Sequence, residues 1–181
     1  MRIAVYCSAN NRVGEEYKSL ARALGTWLAE NGHTLVFGGA TGGLMSEVSA
    51  GAREAGGEVI GVIPPRIIAA GRKSPMCTEC VEVANMSERK QRMRELADGF
   101  VCLPGSYGTM DEMMDVISSG IVGEHKKPVW ILNYKGFYDP LREQIARMKD
   151  LSFIPADEHY KPTFVDTLDQ LYEEIINLKT K

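Results

Sequence analysis

The chain alternates short apolar runs with longer segments whose apolar residues recur at helical spacing. The predicted strands are Arg2–Cys7, Thr34–Phe37, Glu58–Ile63, Cys80–Val83, Gly99–Leu103 and Pro128–Asn133. The predicted helices are Glu15–Asn31, a segment ending at Ala55, Ser87–Ala97, Thr109 to about Gly120, Phe137–Met148 and Thr167–Leu178. This alternation is typical of an α/β protein with a Rossmann-like, mostly parallel sheet and helices on both faces. Residues 66–78 are expected to form a looser segment.

Composition narrows the class of protein. The 181 residues suit one domain, spanning 1–181, with a buried core. A net charge of −3 and a pI near 5.7 argue against a nucleic-acid partner, which usually requires a basic face. No apolar run has membrane-spanning length and the first residues lack the pattern of a signal peptide, so we expect no membrane partner and a cytoplasmic location.

The four cysteines favour the same compartment. Cys7 and Cys102 fall in predicted buried strands, where reduced thiols behave as small apolar side chains. Cys77 and Cys80 form a C-x-x-C pair, which is found in zinc and redox sites. No second pair follows at ligand spacing and the three histidines are scattered, so we expect no metal.

The stretch Leu103–Glu112 runs from a predicted buried strand through a glycine turn into a helix. Gly105 and Gly108 are expected to take positive φ and let the backbone approach a ligand closely. Thr109 then opens the helix, whose free N–H groups and dipole favour a phosphate. The role of Glu112 stays open at this point, because Thr109-x-x-Glu112 is also the spacing of a capping box.

A second glycine loop, Gly38–Met45, follows another predicted strand. Ligands of doubly wound sheets bind at the carboxyl ends of strands, so we expect both loops to border one crevice. Neither loop has the G-x-G-x-x-G spacing after the first strand or the lysine of a P-loop. A mononucleotide therefore fits better than a dinucleotide or ATP.

The predicted helix at residues 87–97 begins with an unusual pair of cations. With Ser87 as N-cap, Arg89 and Lys90 occupy the first turn, where the dipole disfavours each cation by about 0.3–1 kcal/mol. An anion held between this helix and the glycine loop would offset that cost; a solvated basic face, or pairing with glutamates of the same helix, is the alternative. Lys90 shares a helical stripe with Met86 and Met93, which favours the anion.

The motifs Met86-x-x-Arg89-Lys90 and Pro104-Gly-Ser-Tyr-Gly-Thr-x-x-Glu112, with Gly38–Met45 upstream, resemble those of the Lonely Guy family. Its members are cytokinin riboside 5′-monophosphate phosphoribohydrolases, many once labelled possible lysine decarboxylases. The resemblance extends from the first strand to the Phe137 helix. It implies a Rossmann-like homodimer that hydrolyses the N-glycosidic bond of an AMP-type nucleotide, releasing free base and ribose 5-phosphate without a cofactor or metal.

By that resemblance Arg89 and Glu112 form the catalytic pair. The residues implied to contact the nucleotide are Met86, Lys90, Gly105, Ser106, Tyr107, Gly108, Thr109, Asp111, Ser118, Gly38 and Gly39. A carboxylate beneath the sugar would stabilise the positive charge that develops as the base leaves, a role suited to Glu112. Arg89 would hold the phosphate or ribose, or offset charge on the departing base.

Several positions depart from the family pattern. Ser106 stands where glycine is usual, Asp111 where glutamate is common and Ser46 where glycine is usual. These differences leave the preferred base, adenine or an N6-prenylated relative, undecided. A non-catalytic carrier of a nucleotide or phosphorylated cofactor is the alternative function, whereas pyridoxal-dependent decarboxylation is disfavoured because no lysine is marked for a Schiff base.

Overall fold

The computed structural model describes residues 1–178, and its strands form one sheet in which every neighbouring pair is parallel. The strands are β1 Arg2–Tyr6, β2 Thr34–Phe37, β3 Val59–Ile63, β4 Glu79–Glu82, β5 Gly99–Cys102, β6 Val129–Leu132 and β7 Thr163–Val165. The helices are α1 Glu15–Glu30, α2 Gly43–Glu54, α3 Pro65–Ala69, α4 Met86–Leu96, α5 Tyr107–Ile121, α6 Asp139–Asp150 and α7 Leu168–Leu178, with a 3₁₀ turn at Tyr134–Gly136. The predicted Rossmann-like α/β fold is confirmed.

The side chains of the central strand alternate between two buried layers. Ile3 and Val5 pack with α1, α2 and α7, whereas Ala4 and Tyr6 pack with α4 and α5. Each layer is built from the apolar stripe of its helices, such as Leu24 of α1 and Met113 of α5. Helices therefore cover both faces of the sheet, as a parallel sheet requires.

The strand order is β4-β3-β2-β1-β5-β6-β7. From β1 the chain builds outwards through β2, β3 and β4, then returns to place β5 on the other side of β1, where Tyr6 pairs with Cys102. The strand order therefore reverses between β1 and β5. In open parallel sheets this switch point marks the ligand crevice, at the carboxyl ends of the strands.

Three local expectations were wrong. The segment expected to be loose contains α3, with Pro65 at its first position, and residue Lys73 forms an antiparallel bridge with Ala40. The sixth helix begins at Asp139 rather than Phe137, because Lys135 and Gly136 adopt positive φ and break the backbone there. β7 was missed, since three residues are too few to show a periodicity.

Within residues 1–178, no helix has both the length and the apolarity that a membrane crossing requires.

Candidate active site

Helix α4 begins earlier than its sequence suggests. Asn85, not Ser87, is the N-cap: its side-chain oxygen accepts from the N–H groups of Ser87 and Glu88, each at 3.0 Å. The Glu88 carboxylate accepts from the N–H of Ala84, the residue before the N-cap, at 2.7 Å, which resembles a capping box displaced by one residue. Arg89 is therefore the fourth helical residue, beyond the groups on which the dipole acts most strongly.

Arg89 and Glu112 form a buried ion pair between α4 and α5. Arg89 Nη1 lies 2.5 Å from Glu112 Oε1, and the two residues are only 5% and 4% exposed. Arg89 Nε also donates to the carbonyl of Val62 at 3.0 Å. A Cβ on Gly38 would lie 1.7 Å from Arg89 Nη2, so only glycine leaves room for the guanidinium.

Glu112 is therefore not a capping residue. Ser106 is the N-cap of α5 and the helix begins at Tyr107, two residues before the predicted start, so the Thr109-x-x-Glu112 box does not form. Burial raises the pKa of the Glu112 carboxyl above its usual value, with the neighbouring Arg89 guanidinium acting in the opposite direction. The cations on α4 are paired with carboxylates of α5, Arg89 with Glu112 and Lys90 with Asp111, and these pairs offset part of their cost. An anion bound between this helix and the glycine loop stays a prediction.

The ion pair faces a cleft of about 190 Å³ at the switch point of the sheet. Ser8 follows β1, Gly38 follows β2 and Ser106 follows β5, and all three line this cleft together with Arg89 and Glu112. The remaining lining residues are Cys7, Ala9, Ala40, Met45, Ile67, Arg72, Met86, Gly108 and Thr109. We call this cavity the reaction cleft.

The start of α5 offers unused hydrogen-bond donors at the rim of the reaction cleft. Ser106 makes no side-chain cap, and the N–H groups of Tyr107, Gly108 and Thr109 have no acceptor within the described residues. Backbone donors and the positive end of the helix dipole coincide here, which is the usual environment for a phosphate.

The second glycine loop does not offer an equivalent site. The N–H of Gly42 donates to Ser46 Oγ at 2.7 Å and that of Gly43 donates to Asn11 Oδ1 at 2.8 Å. The N–H of Leu44 is bonded to the Ser8 carbonyl at 2.9 Å. The donors at the start of α2 are thus satisfied inside the protein, and Ser46, unusual for the family, supplies one of the acceptors.

The conformation expected of Gly105 and Gly108 was wrong, since neither has positive φ. Gly105 is required by packing, because a Cβ there would lie 2.0 Å from Thr109 Oγ1, whereas a Cβ on Gly108 would meet open space. In the other glycine loop, by contrast, Gly39, Gly42 and Gly43 have positive φ, at 67°, 115° and 48°.

The structure brings some of the expected nucleotide-binding residues together and separates others. Met86, Gly38, Ser106, Gly108 and Thr109 line the reaction cleft with the ion pair. Six expected residues do not line it: Gly39, Lys90, Gly105, Tyr107, Asp111 and Ser118. Gly39 packs against Ile63, and Lys90 is paired with Asp111 at 2.8 Å. Tyr107 is 93% exposed, and Ser118 is exposed on α5.

Several residues that line the cleft were not among the expected site residues: Cys7, Ser8 and Ala9 at the end of β1, and then Ile67 and Arg72. The last two are the least expected. Both lie in the segment expected to be loose, which has neither a motif nor a clear periodicity. They reach the cleft because Ser74 N donates to the Gly39 carbonyl at 2.9 Å and fastens this segment to the second glycine loop. Only that tertiary contact identifies them.

The four cysteines are free thiols. Cys7 and Cys102 are buried, as expected, and burial also raises the pKa of Cys77 to about 11. Within the described part of the chain no three His, Cys, Asp or Glu side chains form a group that could hold a metal ion.

Comparisons with known proteins identify the family of this chain. The family model described as "Possible lysine decarboxylase" matches residues 45–175. A cytokinin riboside 5′-monophosphate phosphoribohydrolase of Oryza sativa subsp. japonica is 41% identical over 156 residues, which are 86% of this chain and 64% of the rice protein. The protein of the same name from Mycobacterium marinum is 36% identical over 167 residues, which are 92% of this chain and 89% of that relative.

Solved structures agree with the fold. The molybdenum cofactor carrier protein of Chlamydomonas reinhardtii superposes with a TM-score of 0.74 at 22% identity, covering 99% of this chain and 98% of that one. At this identity the likeness concerns the fold alone. The matched family model and the curated relatives, by contrast, show that this chain belongs to the Lonely Guy family.

Proposed function

We propose that this chain hydrolyses the N-glycosidic bond of AMP or an N6-modified AMP, releasing the free base and ribose 5-phosphate. The names of its curated relatives, such as the Mycobacterium marinum phosphoribohydrolase, support this reaction. The structural observation that carries it is the buried contact of Arg89 with Glu112, one helical turn from unused backbone donors. Backbone donors suited to a 5′-phosphate and a carboxylate suited to the anomeric carbon thus lie at one cleft.

The phosphate would bind at the N–H groups of Tyr107, Gly108 and Thr109. Glu112 lies four residues beyond Gly108 on the same helix, which is about 6 Å along the axis. A ribose anchored by its 5′-phosphate at the start of α5 can therefore extend its anomeric carbon towards Glu112. Both groups belong to one rigid helix, so their separation is fixed before the substrate arrives.

In the reaction the bond between N9 and C1′ breaks and its electrons leave with the base. The ionised Glu112 stabilises the positive charge that develops on the sugar and orients the water that bonds C1′. Arg89 is already engaged by Val62 and Glu112, so it acts as a positioning residue that holds this carboxylate in place. The role of Arg89 as a direct phosphate ligand is correspondingly disfavoured.

The decarboxylase description of the family model does not suit this cleft. Pyridoxal-dependent decarboxylation requires a lysine that forms a Schiff base with the cofactor. No lysine lines the reaction cleft within residues 1–178. The competing function is a carrier that binds a phosphorylated ligand without cleaving it.

Base release separates the enzyme from the carrier. Purified protein is incubated with AMP and with N6-prenyl-AMP, and free base is measured by chromatography while binding is measured by calorimetry. We expect Glu112→Gln to abolish release and to retain nucleotide binding. Glu143→Gln, an exposed change on α6, is the matched control and keeps full activity. Tight binding with no base release by the wild type would establish the carrier instead.

We also propose a homodimer in the cytoplasm. Tyr107, Ser118 and Ile121 recur on one exposed stripe of α5, which supports a second copy packing there. Light scattering during gel filtration tests the dimer, and a monomer at micromolar concentration would contradict it. Cell fractionation tests the compartment, for which the free cysteines are the support.

A further inference from the structure

Arg72 is a cation at the reaction cleft that the proposed mechanism leaves unused. Arg72 lines the reaction cleft and also a neighbouring polar trough of about 660 Å³. Arg89, the other arginine of the cleft, is neutralised by Glu112, whereas Arg72 has no carboxylate within 4.0 Å among residues 1–178. A partly buried cation without a counter-charge has lost hydration that its hydrogen bonds within the protein replace only in part, so an electron-rich ligand group is a favourable partner for it.

The backbone and one side-chain bond hold Arg72 in place. Its Nη2 donates to the Thr41 carbonyl at 2.8 Å, and Thr41 N donates back to the Arg72 carbonyl at 2.7 Å. The next residue, Lys73, forms the bridge with Ala40. A guanidinium has five N–H donors, so one bond to Thr41 leaves the rest of the planar fork available.

The geometry of the neighbouring cavities indicates which part of a nucleotide reaches Arg72. A cleft of about 190 Å³ is smaller than the ligand pockets of about 300–1,000 Å³ that are usual for such molecules, so a nucleotide must extend beyond it. Ser106, at the proposed phosphate site, borders one end of the cleft, where it also lines a second neighbouring cavity together with Ser8. Arg72 and Ala9 mark the end that opens into the trough. With the phosphate at the first end and the sugar above Glu112, the base lies at the second.

We propose that Arg72 is a further catalytic residue of the proposed reaction, donating hydrogen bonds to a ring nitrogen of the departing purine. This role depends on the proposed function. As the N9–C1′ bond breaks, its electron pair passes into the base, and the purine ring becomes negative. Water supplies the oxygen that bonds C1′, and the proton released from that water ends on the base. A fixed guanidinium beside the ring stabilises the negative charge while it develops, as oxyanion donors do in acyl transfer.

Ile67 and Met86 supply the apolar part of the same site. Both line the reaction cleft, and Met86 is 47% exposed although it is a large apolar side chain. Apolar side chains suit the faces of a planar base, whereas Arg72 suits its polar edge. The combination describes a purine-binding end of the cleft.

The test compares two leaving groups. AMP leaves as a purine that needs stabilisation, whereas 4-nitrophenyl ribofuranoside 5′-phosphate leaves as a phenolate that is stable without help. We expect Arg72→Gln to lower kcat for AMP by about 100-fold, a typical loss for one electrostatic donor, and to change kcat for the nitrophenyl substrate by about twofold or less. Arg66→Gln, an exposed arginine on α3, removes the same charge and is the control.

The outcomes separate a chemical role from a structural one. Equal losses with both substrates, or an effect on KM alone, would overturn the role of Arg72 and leave the proposed function intact. Absence of base release by the wild type would overturn the proposed function and this role with it. If Arg72→Gln lowers the melting temperature, Arg72→Lys carries the same comparison, because lysine keeps a donor for Thr41 but lacks the planar fork.

Discussion

Arg89 Nη1 and Glu112 Oε1 meet at 2.5 Å inside the protein, although the residues lie 23 positions apart on different helices. The desolvation of two buried charges is expensive, and a pair of this kind is weak evidence of a stabilising design. The pair instead faces the reaction cleft at the strand-order switch. We therefore attribute the pair to function, because it holds the Glu112 carboxylate ionised and in a fixed position.

Removing one partner of this ion pair should lower the free energy of unfolding more than removing both partners. Arg89→Met leaves the Glu112 carboxylate buried without a counter-charge, and we expect the free energy of unfolding to fall by about 3–5 kcal/mol. Adding Glu112→Leu should recover most of that loss without restoring activity. Chemical denaturation measures both variants, with Arg92→Met on the exposed side of α4 as control. A loss for the double variant as large as for Arg89→Met alone would contradict this explanation.

The activity should depend on pH through Glu112. Burial raises the pKa of this carboxyl above 4.5, so its ionised form, which the mechanism uses, is lost at a higher pH than for an ordinary glutamate. We expect the acid limb of the kcat profile to lie above pH 4.5. An acid limb at or below that pH would mean that another group controls it.

The same pKa shift affects stability with the opposite sign from most acidic residues. The native state holds the Glu112 proton at pH values where the unfolded chain has released it. Raising the pH through the window between 4.5 and the raised pKa therefore lowers the contribution of Glu112 to the free energy of unfolding. Unfolding of the wild type and of Glu112→Gln, measured across this window, should show the wild type losing stability relative to the variant as the pH rises.

Replacing Gly38 should lower kcat, because the absence of a side chain there leaves space for the Arg89 guanidinium. In Gly38→Ala the new Cβ would lie 1.7 Å from Arg89 Nη2, which forces the guanidinium away from Glu112. A misplaced catalytic group commonly costs about 100-fold in rate, and we expect that loss in kcat. Gly108→Ala is the contrasting change. Its Cβ meets no atom within 4 Å apart from its chain neighbours and its own helix backbone, and it would add bulk beside the proposed phosphate site, so KM should rise instead. Equal effects on kcat in both variants would contradict this distinction.

Ser106 tests the phosphate site directly. Its hydroxyl is exposed at the start of α5 and makes no cap with the helix, so it is available to donate to a phosphate. Loss of one hydrogen bond of about 0.5–1.5 kcal/mol predicts a KM for AMP that rises about 2- to 12-fold in Ser106→Ala. Inhibition by adenosine, which lacks the phosphate, should not change. A parallel change in adenosine binding would show that Ser106 acts elsewhere.

The sequence predicted those parts of the protein that local patterns encode. Alternating apolar runs identified the sheet, and the resemblance of two motifs to those of the Lonely Guy family implied that Arg89 and Glu112 share one site. The ion pair between them was not predicted. The pairing of Lys90 with Asp111 was not predicted, because the helical periodicity around Lys90 does not indicate which side chains of α5 lie beside it. Arg72 was missed for the same reason, since its position depends on contacts with Thr41 and Ala40 that are distant in the chain.

In the proposed reaction Glu112 stabilises a ribosyl cation derived from a nucleoside monophosphate. The decisive measurement is single-turnover release of adenine from AMP, compared for the wild type and Glu112→Gln at matched nucleotide occupancy. We expect rapid release by the wild type and about 1,000-fold slower release by the variant, on the order of the loss when a principal electrostatic group is removed. Equal rates for the two proteins, or no release by the wild type at full occupancy, would contradict it.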